Sequence, residues 1–226
     1  MEKKYELTDE ILEVGGHVLH RIKALRDFGE VRKGDIGGWI ECEDNLSHDD
    51  DCWVYGNAEV YGKAEVFGKA KVLGNAEVYG NAEVLGNAKV HGKAEVLGNA
   101  EVYGNAEVYG NAEVHGNAKV YGNAEVYGNA KVYGNAEVYG KAEVYGKAEV
   151  YGNAEVEKKS DYIVFKNWWS SGRYFTWTRS NDKWRVGCFY GTGEELIKKA
   201  YNDSEEKGRE YKRVVKYVES IKSEIK

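Results

Sequence analysis

Val108 to Val126 reads VYGNAEVHGNAKVYGNAEV, three passes through one six-residue phrase. The phrase continues in both directions: valine recurs at every sixth position from Val54 to Val156, giving 17 uninterrupted hexads of the form V-x-G-[NK]-A-[EK]. A period of six fits neither a helical turn nor a heptad, and a glycine in each hexad would cost a helix about 1 kcal/mol every time. A short strand followed by a corner satisfies the spacing. In N-A-E-V-Y-G the two-residue alternation sends Ala and Val to one face and Glu and Tyr to the other. Gly with Asn or Lys then forms the corner, since Gly and Asn both tolerate left-handed backbone.

Three such hexads make a coil of 18 residues. The pattern, with an aliphatic residue and, four positions later, a small one both pointing inward (Val54/Ala58, Val60/Ala64 and every later pair), resembles the hexapeptide-repeat family. That resemblance implies a mainly β fold, a left-handed parallel β-helix of about six 18-residue coils over residues 53–156, and a protein that trimerises through its prisms. Coils spaced about 4.8 Å apart predict a prism roughly 27 Å long that buries only Ala and Val and needs a cap at each end. The register persists upstream in degenerate form at Ile40/Cys42, Leu46/His48 and Cys52/Val54, so the amino-terminal cap, residues 1–52, is expected to contribute a first irregular coil.

Stepping by eighteen assigns the outward residue after each valine to a face. One face carries Tyr55, Leu73, His91, Tyr109, Tyr127 and Tyr145; the second Tyr61, Tyr79, Leu97, His115, Tyr133 and Tyr151; the third Phe67, Leu85, Tyr103, Tyr121 and Tyr139. All three are aromatic ladders, which can support strand pairing or serve as an oligomer interface. His91 and His115 fall on different faces and cannot meet within one chain. Many members of the resembled family are acyltransferases with catalytic histidines on extruded loops, and no such loop interrupts Val54–Val156.

The flanks differ in composition and charge. Residues 1–52 carry 7 Lys/Arg against 14 Asp/Glu, the repeat 9 against 13, and residues 157–226 carry 16 against 11. The basic tail is therefore the expected anion binder. Residues 19–40, LHRIKALRDFGEVRKGDIGGWI, are similar to the amino-terminal segment of uncharacterised bacterial and phage hexapeptide-repeat proteins often labelled acyltransferase. The K-G-D-I-G-G-W run is expected to turn into the first coil with Trp39 over the open end. In the tail, DYIVFKNWW, GRYFTWTRS and KWRVGCFYG predict three antiparallel strands, with turns at Ser170-Ser171-Gly172 and Asn181-Asp182. A Thr192–Glu195 capping box starts a helix over 193–202, and a stripe at Tyr211, Val214, Val215, Val218, Ile221 and Ile225 predicts a second. The tail, 157–226, is thus a small α+β domain.

Trp168, Trp169, Arg173, Trp177, Arg179, Lys183, Trp184 and Arg185 interleave aromatics with cations. Such a surface can bind a nucleotide-like anion, by stacking on the rings while guanidinium groups neutralise charge; the same tryptophans can equally be the core of a small domain. The candidate ligand-binding residues are Trp168, Trp169, Arg173, Trp177, Arg179 and Arg185. Three cysteines, Cys42, Cys52 and Cys188, read as reduced thiols, and no metal or cofactor motif is present. With neither a signal peptide nor a transmembrane run in the sequence, a cytosolic location is expected. The sequence predicts a non-enzymatic protein in which a β-helix presents a basic, aromatic carboxyl-terminal module to an anionic ligand, with nucleic acid and membrane not expected as partners. A hexapeptide-repeat acyltransferase and a purely structural assembly protein are the alternatives.

Overall fold

The computed structural model describes residues 2–169 and 172–224. The chain enters through an antiparallel hairpin, β1 (Tyr5–Val14) and β2 (His17–Ala24), followed by β3 (Ile36–Ile40), which pairs antiparallel with β2. β3 then pairs in parallel with the first repeat strand of its face, placing Ile40 beside Val60. Eighteen strands of two to four residues follow, β4 (Trp53–Val54) to β21 (Glu155–Val156), one at each repeat valine. Each up to β18 pairs with the strand three further on, Val90 against Val108 and Val108 against Val126, so that three parallel sheets rise side by side. The result is a parallel β-solenoid of about seven turns with an 18-residue period. The hexads supply most of these turns and the irregular segment from Ile36 to Cys52 the first, with Leu46 bridged in parallel to Val66.

The alternation read from the sequence decides burial. Every repeat alanine and valine is sealed inside, and the outward Glu, Lys and Tyr are at least partly wet except Tyr61 and Tyr133, which are buried. Outward residues hand their N–H groups up the stack: Tyr109 donates to the Val126 carbonyl at 2.9 Å and Asn111 to that of Gly128 at 2.7 Å. The aromatic rungs stack in register, with Tyr103 and Tyr121 at 4.9 Å between centroids and 1° between planes. Their hydroxyls donate to carboxylates sixteen residues on, Tyr109 to Glu125 at 2.8 Å and Tyr121 to Glu137 at 2.8 Å. Burial and this carboxylate together push both phenols above their ordinary range.

At the corners the division of labour differs from the sequence expectation. Glycine alone takes the left-handed backbone, for example Gly110 at φ +77°, while no repeat asparagine does. Asparagine instead ladders its side-chain amide between coils, Asn81 to Asn99 to Asn117 to Asn135, at 2.8–2.9 Å per step. Lysine can therefore replace it, because nothing about its backbone is demanded.

The cap also departs from expectation at Trp39. Parallel pairing puts Ile40 inward and Trp39 outward, below Tyr61, where the Arg21 guanidinium covers its ring at 3.9 Å. The end of the prism is closed instead by Tyr5, Ile22, Phe28 and Trp53. Gly37 and Gly38 are needed because a Cβ there would lie 2.5–2.7 Å from Ile22, Trp53 and Val54, or from Ala58 and Val54. Lys4 is wholly buried, its Nζ donating to the carbonyls of Asp49, Asp50 and Cys52 at 3.2, 3.4 and 2.9 Å, and burial holds its pKa down.

The tail holds four antiparallel strands rather than three: β22 (Tyr162–Lys166), β23 (Tyr174–Thr178), β24 (Lys183–Val186) and β25 (Phe189–Gly191), in that order. The third expected strand is folded into a hairpin at Gly187-Cys188, with Gly187 at φ +55°, a two-residue turn that glycine in first position favours. Helices α1 (Gly193–Asp203) and α2 (Glu205–Ile221) follow, the first opened by the expected Thr192–Glu195 box. Ser170, Ser171 and Ile225 lie outside the described residues. Phe175 and Trp177 face the helices, packing with Trp184, Leu196, Tyr211 and Val215. Thr176 and Thr178, on the other face, are buried as well, and Thr176 Oγ1 accepts the Glu149 N–H of the last coil at 2.9 Å. The sheet is thus covered by helices on one side and by the end of the solenoid on the other.

Candidate ligand-binding groove at the end of the solenoid

A parallel solenoid that stops leaves its last coil with N–H groups that the next coil would have bonded. Here the tail supplies side-chain acceptors to three of these donors. Tyr145 N–H meets the Tyr162 hydroxyl at 3.4 Å, Glu149 N–H the Thr176 hydroxyl at 2.9 Å, and Glu155 N–H the Ser180 hydroxyl at 2.7 Å. The Tyr162 ring, nine-tenths buried, joins the alanine–valine core, and its burial pushes the phenol up to about 12. The Lys147 amide, which by the repeat rule would donate to a coil above, has no acceptor among the described residues.

The three corner glycines of the last coil make the same point geometrically. A Cβ on Gly140 would meet Glu157 at 3.0 Å and one on Gly152 the Tyr190 hydroxyl at 2.1 Å, because the tail crosses both corners. One on Gly146 would meet nothing within 4 Å among the described residues. At that uncovered corner a groove opens between the solenoid and β23. Its cationic half, about 320 Å³, is lined by Lys131, Lys147, Glu149, Arg173 and Tyr174 among others. Its more apolar half, about 440 Å³, is lined by Tyr145, Lys147, Lys159, Tyr162, Ile163 and Tyr174 among others. Lys147 and Tyr174 belong to both, with the ammonium 5.3 Å from the ring centroid. Both volumes fall in the usual range for small-molecule sites, about 300–1,000 Å³.

The charges of this groove are partly held by their own neighbours. Lys131 pairs with Glu113 at 2.7 Å and Lys159 with Glu143 at 2.7 Å, which holds the Glu143 carboxyl below its usual range. Glu149, the acidic member, accepts through Oε2 from Arg185 Nε at 3.0 Å and from the Tyr133 hydroxyl at 2.8 Å. Lys147 is exposed and Arg173 borders both the groove and the helical side of the sheet.

Of the residues singled out from the sequence, Arg173 lines this groove. Trp177 and Trp184 are core, the former donating Nε1–H to Asp182 at 2.8 Å. Trp169 packs against Phe175 and Tyr211 at 6.1 and 6.3 Å, whereas Trp168 is 82% exposed beside it. Arg179 reaches Asp161 at 3.7 Å, and Arg185 lies over Tyr133 and Tyr151 at 5.3 and 5.1 Å. The structure therefore distributes these side chains over the module instead of gathering them on one face. Tyr145, Lys147 and Lys131, which the hexad pattern does not distinguish from other repeat residues, stand at the groove. The signal for them was available: Tyr145 is the last rung of its ladder when the repeat is stepped by eighteen.

The histidines of the repeat are rungs. His91 stacks on Tyr109 at 4.9 Å and His115 on Tyr133 at 4.7 Å, on different faces, and burial lowers the pKa of His115. Among the described residues no group of three His, Cys, Asp or Glu is placed to hold a metal, and the three cysteines are free thiols. No helix is long and apolar enough to cross a membrane. Comparison with protein-family models and with curated proteins finds no match for the chain.

Proposed function

We propose that this chain is a non-enzymatic binding protein of the hexapeptide-repeat, left-handed β-helix kind, whose rigid prism carries a site for a small anionic ligand at its carboxyl end. The observation that carries this reading is the convergence of Lys131, Lys147 and Arg173 with Tyr174 at the Gly146 corner of the last coil, where a Cβ would meet nothing within 4 Å among the described residues. An anion there meets two kinds of donor, the ammonium and guanidinium groups and the Lys147 amide, and hydrogen bonds to charged partners are the stronger ones. The ligand then sits at the junction of the tail with the solenoid and not on the tail's tryptophans. The test is calorimetric titration of the full chain with inorganic phosphate and with pyrophosphate. Binding that weakens as salt is raised, and that is lost in Lys147→Ala/Arg173→Ala while the far-ultraviolet spectrum is unchanged, is the expected result. No binding of either anion to the wild-type protein at low ionic strength overturns it.

A further inference from the structure

Each tyrosine ladder has an upper end, and the three ends are finished differently. On the second face Tyr151 is closed by the edge of Tyr190 at 4.6 Å and by the Arg185 guanidinium at 5.1 Å. On the third, the chain itself crosses the Gly140 corner next to Tyr139. On the first, the rungs His91, Tyr109, Tyr127 and Tyr145 follow one another at 4.9, 4.9 and 5.3 Å with 4–12° between planes, and then stop. Tyr145 has no ring partner above it among the described residues, is 46% exposed, and borders the apolar half of the groove. Tyr145 shares the cavity at this end with Lys147, Lys159, Tyr162 and Tyr174.

We infer that the ligand of this groove is a flat aromatic anion whose ring stacks on Tyr145 as the next rung of the ladder, with its negative group on the Lys147 and Arg173 side. This rests on the proposed anion site and adds the ligand's chemical class. Tyrosine stacks tolerate offset parallel rings at about 4.5–7 Å, so an incoming ring reproduces the spacing already built below it. The Tyr145-Gly146-Lys147 corner fixes the relation between ring and anion: the stacking face and the ammonium are two residues apart on a turn, so a ring bearing its charge on a short arm reaches both. Gly146 leaves the approach clear, since no atom of the described residues lies within 4 Å of where its Cβ would be. Ile163 lines the wall of the same half, giving the ring apolar contact off its stacking face. A plain anion uses the cationic half alone and leaves this surface wet.

The experiment compares 1-naphthyl phosphate with inorganic phosphate by calorimetric titration of the full chain. The aryl ester binds about tenfold or more tighter than phosphate if stacking contributes what it does elsewhere. Tyr145→Ala removes that advantage; Tyr145→Phe, which keeps the ring, retains it, and Tyr139→Ala on the neighbouring face changes neither phosphate binding nor the advantage. Equal affinity of the two probes for the wild-type protein, or an advantage that survives Tyr145→Ala, overturns the inference while leaving the anion site standing. If neither probe binds, both the inference and the anion site fall.

Discussion

Gly110 and Gly146 occupy the same place in the hexad, with φ +77° and +70°, yet alanine at the two positions meets different surroundings. At either position the left-handed backbone alone costs a residue with a Cβ about 1–2 kcal/mol. At Gly110 the Cβ also lies 3.0 Å from Gly128 N, 3.1 Å from Gly128 O and 3.4 Å from Gly128 Cα. These are backbone atoms of the next coil, and Gly128 O already accepts the Asn111 N–H at 2.7 Å, so relieving the contact stretches a ladder bond. Forced packing of this kind adds about 1–3 kcal/mol, for a total of about 2–5 kcal/mol. At Gly146 that second contribution vanishes, because no coil lies above it. The small gain from restricting the unfolded chain applies to both variants and cancels in the difference. Urea unfolding of Gly110→Ala and Gly146→Ala, followed by far-ultraviolet circular dichroism for the solenoid and tryptophan fluorescence for the tail, therefore separates by about 1–3 kcal/mol in favour of Gly146→Ala. If Gly146→Ala is equally or more destabilising, the repeat glycines are required by corner conformation alone, and the account of close coil-to-coil approach is wrong.

Three further outcomes follow from the same geometry. His115→Tyr restores a tyrosine rung between Leu97 and Tyr133 and raises stability by about 0.5–1.5 kcal/mol. Because burial depresses the His115 pKa, the wild-type protein loses stability as pH falls below the ordinary histidine value of about 6.5, and the variant's melting temperature measured at pH 5 and pH 8 lacks that share of the loss. Glu77, pushed up first by desolvation and then by Glu95 on the coil above, holds its proton more tightly folded than unfolded. Its contribution grows as pH drops through the raised folded value toward the ordinary carboxyl value, so Glu77→Gln raises the melting temperature at neutral pH by more than it does in acid. Replacing Lys4 by Met strands the carbonyls of Asp49, Asp50 and Cys52 that its ammonium now satisfies, a loss of about 1–3 kcal/mol measurable by urea unfolding.

The parts legible in advance were those that repeat. Val54 to Val156, the three faces, the rungs they carry and the separation of His91 from His115 all follow from stepping along the chain, since a solenoid's contacts are fixed offsets in sequence. The helix at Gly193 was readable because its cap is local, Thr192 and Glu195 satisfying each other's backbone within four residues. The Gly187 hairpin was missed because a glycine inside a strand-like run signals a bulge or a turn equally well. Trp39 was misplaced for another reason: its side depends on which strand pairs with β3, and that is a register between segments about twenty residues apart.

The groove lies where repetition ends, and there the sequence alone had least to say. The hexads determined that a prism forms, which residues line it, and that its last coil must present unpaired donors. Only the tertiary structure decided which donors the tail takes up, because that depends on how a separate four-stranded sheet settles on the coil below. Thr176, Ser180 and Tyr162 cover three amide groups and leave the Lys147 corner open. Likewise the spacing of the tryptophans left both core and surface open, and it is the two helices over Trp177 and Trp184 and the solenoid over Thr176 that decide between them. Burial on both faces of a sheet is a property of what packs against it, and no spacing along β23 records that.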